Sequence, residues 1–490
     1  MRTDPADAAL PEGVPLEGMS SAERVRPSVT FVGAGPGDPG LRTVRGARAL
    51  AEADVVVSDV TLGPRALEGV SPEAERVAVL PSSDVPALLV AHARAGRRVV
   101  RLVPGDATGV GPEAAAVAAA GVALEVVPGV GPAVAGAAAA GILLDLRTRV
   151  ASVTGGDPTP AVAELVADGV PADAPAVAIV GAGTAEQRVV SAPLDGLAVE
   201  VARQGLGHVD TVVAGPGVAS RVPWRERRPL HGRRALVTRP RAQAGVLATL
   251  LEDYGAEVVT LPTIRIEPPD DWRPLDSAIA GLRGFAWVVF TSTNGVGAFR
   301  ERLRVAGRDA RELAGLGVAA IGSATAEALR GIGLEPDVVP TEFRAEALVE
   351  ALGPRIQPGQ GVLLVRATEA REVLPRALAA RGIEVTVAPA YRTVIAKEES
   401  DRMLTLLEAR KIDVVTFTSS STVRGLVGLL PAGEARRLLA GVALAAIGPV
   451  TAATVAEHGL PITVMPRHYT APALAAAIAR HFAEAEPGPR

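Results

Sequence analysis

Two hydroxyl-rich runs have the composition to hold a substrate: Thr291, Ser292, Thr293 and Asn294, and Thr418, Ser419, Ser420 and Ser421. Each follows a short β-branched run and precedes a segment of helical period, which places it where a strand ends and a helix begins. Ser323 with Thr325, and Thr451, mark two more junctions of the same kind. In parallel α/β sheets such junctions present free helix N–H groups and a positive dipole end, an arrangement that attracts anions. Ser and Thr at a helix start are also ordinary N-caps, so capping alone explains any single loop. Several such loops opposed across a cleft would suit a large polyanion. None has the Gly-x-x-x-x-Gly-Lys-Ser/Thr form, which argues against a nucleoside triphosphate. This half shows no Ser–His–Asp arrangement or carboxylate pair, so the chemistry expected is the positioning of an already reactive substrate.

The elements that must hold these loops are legible as well. In 490 residues, 48% are hydrophobic and 21% charged, enough for about three packed domains of roughly 150 residues. The net charge of −4 argues against a nucleic-acid binder. The chain has no cysteine, which excludes disulfides, thiolate catalysis and Cys-based metal sites, and six scattered histidines give no metal pair. Residues 1–27 read as a disordered tail and not as a signal peptide, and 485–490 as a second tail. The uncharged run from Val126 to Leu144 has the length of a membrane span. Pro128, Pro132 and four glycines make it a buried strand–turn–helix instead. A cytoplasmic protein with no membrane or nucleic-acid partner is expected.

Short β-branched runs alternate with helical segments throughout, which reads as α/β with parallel sheets. Strands are expected at Val29–Val32, Val55–Val57, Val99–Leu102, Ala176–Val180, Ala235–Thr238, Val288–Thr291, Val318–Ile321, Val362–Val365, Val414–Phe417 and Val442–Ile447. Residues 219–233, rich in arginine and proline without periodicity, read as a solvated linker. The half beyond repeats itself. Arg239 and Arg366 end matching strands 127 residues apart, Phe290-Thr-Ser-Thr-Asn matches Phe417-Thr-Ser-Ser-Ser at the same offset, and Ile321-Gly-Ser-Ala-Thr matches Ile447-Gly-Pro-Val-Thr at 126. Gly255-Ala-Glu-Val pairs with Gly382-Ile-Glu-Val, again at 127, so an α/β unit has been duplicated.

In order and spacing these motifs, with Val237-Thr-Arg-Pro and Pro389-Ala-Tyr-Arg-Thr, resemble uroporphyrinogen-III synthase over about residues 234–484. The resemblance implies two Rossmann/flavodoxin-like lobes joined by a two-stranded connector. One lobe comprises 234–262 and 396–484, the other 267–390, and the connectors are Thr263-Ile-Arg-Ile and Ala390-Tyr-Arg-Thr. It implies cyclisation of hydroxymethylbilane with inversion of its last pyrrole ring and loss of water, without a cofactor. The family's tyrosine thought to assist departure of the hydroxyl falls on Tyr391, whose repeat partner is Ile264. Thr238, Arg239, Thr291, Ser292, Thr293, Asn294, Ser323, Thr325, Arg366, Thr418, Ser419, Ser420 and Thr451 are the substrate-binding residues implied by motif position. Transient contact with hydroxymethylbilane synthase is the partner expected.

The first half opens with Val29-Thr-Phe-Val-Gly-Ala-Gly-Pro-Gly-Asp, a strand and a Gly/Pro loop able to bring backbone close to a ligand. With Ala53-Asp-Val-Val-Val-Ser-Asp59, Glu125-Val-Val-Pro-Gly, Ala140-Gly-Ile and Glu186-Gln-Arg-Val-Val, it resembles uroporphyrinogen-III C-methyltransferase, here at residues 28–218. That family transfers methyl groups from S-adenosylmethionine. This chain departs from it where binding should lie. Val103-Pro104-Gly105-Asp106-Ala107-Thr108 replaces a Lys-Gly-Gly-Asp-Pro-Phe stretch, and Pro104 removes a backbone donor. Pro112 stands where an arginine is implicated in catalysis, and the strand ending in Tyr-Met-Gly has no counterpart. The expectation is a degenerate, structural module. Pro36, Asp59, Gly105 and Asp106 are the retained cofactor-binding candidates. The rival readings are a bifunctional synthase–methyltransferase and, in a different class, a two-lobed tetrapyrrole sensor.

Overall fold

The computed structural model describes residues 28–484, apart from Thr154, Pro240, residues 341–344 and Arg371. Both expected tails lie outside the described residues. Among these residues 18 strands form four sheets in two compact units that divide at Arg225.

The N-terminal unit carries β1 (Val29–Gly33), β2 (Val55–Asp59), β3 (Glu75–Val79), β4 (Val99–Val103) and β5 (Leu124–Val127) in a parallel sheet of order β3-β2-β4-β1-β5. β1 (Val-Thr-Phe-Val-Gly) and β4 (Val-Val-Arg-Leu-Val) are central and buried along their whole length, the one charge, Arg101, being ion-paired with Asp59 and Glu113. A second sheet, β6 (Arg149–Ser152), β7 (Pro175–Val180), β8 (Arg188–Pro193) and β9 (Thr211–Ala214), runs in the order β6-β9-β7-β8. All its pairings are antiparallel, which corrects the expectation of parallel sheets throughout. The reason is local: β7 turns straight back into β8 through Gly181 and Gly183, both at positive φ, with no crossover helix. Val126–Leu144 forms the end of β5 and the helix Pro132–Ala139, with Ala137 and Ile142 buried. No helix among the described residues is long and apolar enough to cross a membrane.

Residues 219–233 are not the solvated linker expected. Arg221 Nε donates to Ala140 O at 2.7 Å, Trp224 Nε1 to Ala138 O at 2.9 Å, and Arg225 to Gly183 O at 2.6 Å. On the C-terminal side Leu230 is fully buried and its N–H donates to Tyr254 O. Arginines that read as solvated cations serve instead to satisfy backbone carbonyls left open at helix and loop ends.

The C-terminal unit contains β10 (Arg234–Val237), β11 (Glu257–Thr260), β12 (Ile264–Glu267), β13 (Trp287–Phe290), β14 (Gly317–Ala320), β15 (Gly361–Ala367), β16 (Glu384–Ile395), β17 (Val414–Phe417) and β18 (Ala443–Ala446). One sheet has the order β11-β10-β17-β18, the other β12-β16-β15-β13-β14. The duplication is thus exchanged: the four-stranded sheet takes β10 and β11 from the first copy and β17 and β18 from the second, and the five-stranded sheet takes β12, β13 and β14 from the first and β15 and β16 from the second. The crossing is made by β12, antiparallel to the far end of β16 with Ile264 opposite Ile395 and Glu267 opposite Arg392. The near end of β16 is parallel to β15. Equivalent positions fill the cores, with Phe290 packed edge-to-face on Phe299 at 5.3 Å and Phe417 in its own lobe.

Candidate active site

The two hydroxyl runs occupy matching places. Ser292 and Ser419 have nearly identical extended backbones, at φ −165° and −163°, and each caps the helix that follows. Ser292 Oγ accepts from Gly295 N at 3.0 Å, and Ser419 Oγ from Thr422 N at 3.3 Å. Gly322 and Gly448 begin the neighbouring helices, again with matched geometry, so Ser323 and Pro449 are first-turn residues and not caps. Four helix N-termini therefore gather at the carboxyl ends of the two sheets, two per sheet.

The side chains differ in what they leave available. Thr291, Ser292, Thr293 and Asn294 are half-buried, as are Thr418, Ser419 and Ser420, and Ser323 is exposed. Thr238, Thr325 and Thr451 are buried. Thr238 Oγ1 donates to Thr416 O at 2.6 Å, and thus closes the gap between β10 and β17. Ser420 Oγ accepts from Thr454 Oγ1 at 2.7 Å, a bond that ties the start of helix Ser420–Leu429 to the second turn of helix Pro449–Glu457. Thr291 Oγ1 lies 3.4 Å from Val365 O.

Tyr391 lies on β16 beside a register shift between Arg366 and Ala367 of β15. The strap after β15 holds it, with Thr368 N donating to Tyr391 O at 2.8 Å and Thr393 N to Glu369 Oε2 at 3.2 Å. Burial pushes the Tyr391 phenol above its ordinary value. The Ser292 and Asn294 side chains bond to it and act the other way, while the Glu369 carboxylate adds to the rise. The phenol is therefore neutral at physiological pH and stands at the first hydroxyl loop. Arg366 is 7% exposed and ion-paired with Glu372. Burial lowers the pKa of Arg239, its counterpart at the end of β10. Glu369 and Glu372 were not anticipated. Their position directly after a strand of the repeat was the signal available.

In the N-terminal unit the loops after β1, β4 and β5 converge. Gly35 and Gly105 exchange both backbone hydrogen bonds, at 3.0 and 3.1 Å. A Cβ on Gly33 would lie 2.6 Å from both Gly105 O and Gly129 N, so only glycine permits this approach. Asp106 Oδ1 accepts from Gly129 N, Asp59 is ion-paired with Arg101 at 2.8 Å, and Pro36 is half-buried in the first loop. Arg101, 4% exposed, also holds Glu113 at 2.9 Å. Among the described residues no group of His, Asp and Glu is arranged to hold a metal.

Comparison with known proteins identifies the family. The family described as "Uroporphyrinogen-III synthase HemD" matches residues 245–476. The uroporphyrinogen-III synthase of Synechococcus elongatus is 35% identical over 254 residues, covering 51% of this chain and 96% of that protein. The chain belongs to the uroporphyrinogen-III synthase family. It is accordingly a lyase-type enzyme of tetrapyrrole biosynthesis. Residues 28–164 match a second family, "Tetrapyrrole (Corrin/Porphyrin) Methylases". A "Porphyrin biosynthesis protein HemD" from Ruminiclostridium josui is 28% identical over 443 residues, covering 81% of this chain and 88% of that one, so the similarity extends over both units. A mutant uroporphyrinogen III synthase from Thermus thermophilus is 23% identical, covers 51% of this chain and 98% of that chain, and has a TM-score of 0.40.

Proposed function

We propose that the C-terminal unit folds hydroxymethylbilane between the lobes 234–262 plus 396–484 and 267–390, and closes it with inversion of the last ring. Tyr391 is the observation that carries the reading. A phenol kept neutral by burial stands against the hydroxyl loop at Ser292 and Asn294. It donates to the departing hydroxyl, the C–O bond breaks, and the hydroxide leaves as water with the proton the phenol supplies. Ring closure then returns a proton to the site. The substrate's hydroxymethyl group leaves readily, so strong acid catalysis is not required. What must be imposed is the fold of the chain, because spontaneous closure gives the wrong isomer.

For an eight-carboxylate substrate the helix starts at Thr291–Asn294, Ser323 and Thr418–Ser420 offer N–H donors without buried charge. Arg239 adds cationic character at the end of β10, while its counterpart Arg366 is buried and paired with Glu372. No cofactor takes part in this scheme. A reactive substrate favours transient contact with the hydroxymethylbilane synthase that supplies it.

The N-terminal unit we read as a non-catalytic module of the methylase fold. The support is that its retained candidates are engaged by protein. Gly105 is bridged to Gly35, Asp106 to Gly129 and Asp59 to Arg101, and Pro104 offers no N–H. S-adenosylmethionine would have to break the bridge between the two loops to reach their donors.

The test is to give the full chain freshly generated hydroxymethylbilane, with and without S-adenosylmethionine, and to separate products by isomer and mass. Type III porphyrinogen without added methyl groups is the result expected. Methylated type III product would establish the bifunctional alternative, and type I alone would refute the synthase reading.

A further inference from the structure

A concavity of about 610 Å³ lies beside the last helix, Ala471–Glu484, and is lined by none of the residues assigned above. Its floor is Ala473 and Ala476, its closed side Pro466, and its rim Arg467, His468 and Arg480. Positions 473, 476 and 480 recur at helical spacing, so the two alanines leave room beneath the one long cationic side chain. All three rim residues are exposed, and among the described residues none of them pairs with a carboxylate. Other arginines of this unit are neutralised by carboxylates, as in Arg302–Asp276 at 2.7 Å and Arg234–Glu257 at 2.9 Å, whereas Arg467 and Arg480 stand unpaired on one concave surface.

The loop is built, not loose. Val464 bridges Ala445 in parallel with β18, so the chain leaves the sheet at its carboxyl end, the end that carries Ser419. Tyr469 then folds over Gly448, whose Cβ position is 3.2 Å from the ring, and Thr470 Oγ1 accepts from Ala473 N to start the helix. The duplication supplies a control. At an offset of 126, Arg467 and His468 correspond to Thr341 and Glu342, and Arg480 to Pro354. Pro466, Ala471, Ala473 and Leu474 keep their partners Pro340, Ala345, Ala347 and Leu348. These four framework positions are the same in both copies, while at the three rim positions the cations stand in one copy only; Arg344 of the other copy corresponds to Thr470.

We propose that this groove is a carboxylate-binding subsite for an acidic pyrrole-bearing ligand, the bilane substrate or its cyclised product. The proposal rests on the substrate class given under Proposed function. Two planar guanidinium groups match carboxylates bidentately, and the alanine floor accepts the face of a ring that a bare inorganic anion would not need.

The test uses the full chain with Arg467→Gln and Arg480→Gln combined, and Arg467→Lys with Arg480→Lys as the charge-preserving variant. Uroporphyrin III, the oxidised and fluorescent form of the product, serves as a stable probe. The Gln pair is expected to weaken probe binding and raise KM for hydroxymethylbilane by about tenfold or more, with kcat and the melting temperature unchanged and the Lys pair recovering much of the loss. Wild-type probe affinity and wild-type KM in the Gln pair would overturn the subsite. Displacement of the probe by millimolar inorganic phosphate would reassign it to phosphate. Should the wild-type chain make only type I porphyrinogen, the synthase reading fails, while the probe titration of the two pairs still decides the subsite.

Discussion

Gly425 and Gly428 share the helix Ser420–Leu429, and the same substitution should have opposite effects at the two. A Cβ at Gly425 would sit 2.6 Å from Thr263 O, 2.7 Å from Ile264 Cγ2 and 2.9 Å from Thr263 Oγ1. Thr263 is where the chain enters the crossover strand β12, and it cannot retreat freely because its hydroxyl donates to Thr422 O at 3.0 Å. At Gly428 the close atom is Ile395 Cδ1 at 2.5 Å, the mobile end of a side chain, with the next neighbour at 3.7 Å. Replacing a helical glycine by alanine gains about 1 kcal/mol of helix propensity at either site. Overpacking against backbone costs about 1–3 kcal/mol, and weakening the Thr263 bond about 1 kcal/mol more. Gly425→Ala should therefore destabilise by about 1–3 kcal/mol, while Gly428→Ala should be neutral or stabilise by up to about 1 kcal/mol once Ile395 changes rotamer. Native-state hydrogen exchange of peptides spanning 258–268 and 413–430 measures both locally, without assuming that the two units unfold together. Equal protection in the two variants would refute the claim that close backbone approach holds the crossover in place.

Further outcomes are expected elsewhere. Ser419→Asp keeps the cap and favours the helix dipole, so stability should hold, while a carboxylate beside an anionic ligand should raise KM by about tenfold or more; unchanged KM would remove this loop from the binding face. Tyr391→Phe should lower kcat and isomer fidelity with little change in KM, and full turnover with full fidelity would withdraw its role. The folded phenol is held above its ordinary value of 10.0, so its contribution to stability is complete below pH 10 and declines as pH rises through the raised folded value. An alkaline unfolding series of wild type against Tyr391→Phe reads this difference, and parallel curves would contradict it. Gly105→Ala combines a φ of +64° with a Cβ 2.7 Å from Pro132 Cδ, so hydrogen exchange in peptides of 99–135 should rise sharply. Unchanged exchange there would show that the loop convergence carries no strain limit.

Much of this was legible because one kind of signal governs it. Each of the ten β-branched runs became a strand within a residue or two at its ends, since a strand buried on both faces must be continuously apolar. Several of the strands that escaped notice have a wet face, while β9, buried throughout, is only four residues long and opens on a threonine. β3 begins Glu75-Arg76, and β8 buries only Val190, so hydrophobicity alone does not separate them from loops. β16 was visible only at Ala390–Thr393, although it runs for 12 residues, because its two ends serve different neighbours. The hydroxyl loops were identifiable by type, but not the direction of each hydroxyl. Thr238 turns into the sheet and Ser420 towards Thr454, choices made by tertiary packing and invisible to spacing. The linker failed for a related reason: an arginine reads as solvent-facing until a bare carbonyl is known to lie within its reach.

The exchange of strands between the two copies also bears on synthesis. Within the C-terminal unit β10 and β11 emerge first from the ribosome, but β10 must pair on its other side with β17, whose Val414 lies opposite Ala235. Everything from β12 to β16 is made in between and forms a sheet of its own. The inner lobe can therefore close while the outer one waits with β10 unpaired along one edge for some 180 residues, a long interval at roughly 5–20 residues per second. Its closure cannot be hastened by local propensity, since no local sequence completes it. During that interval the strand edge at Ala235–Val237 is the part of the nascent chain most exposed to mispairing, and slower translation after residue 267 would lengthen the exposure.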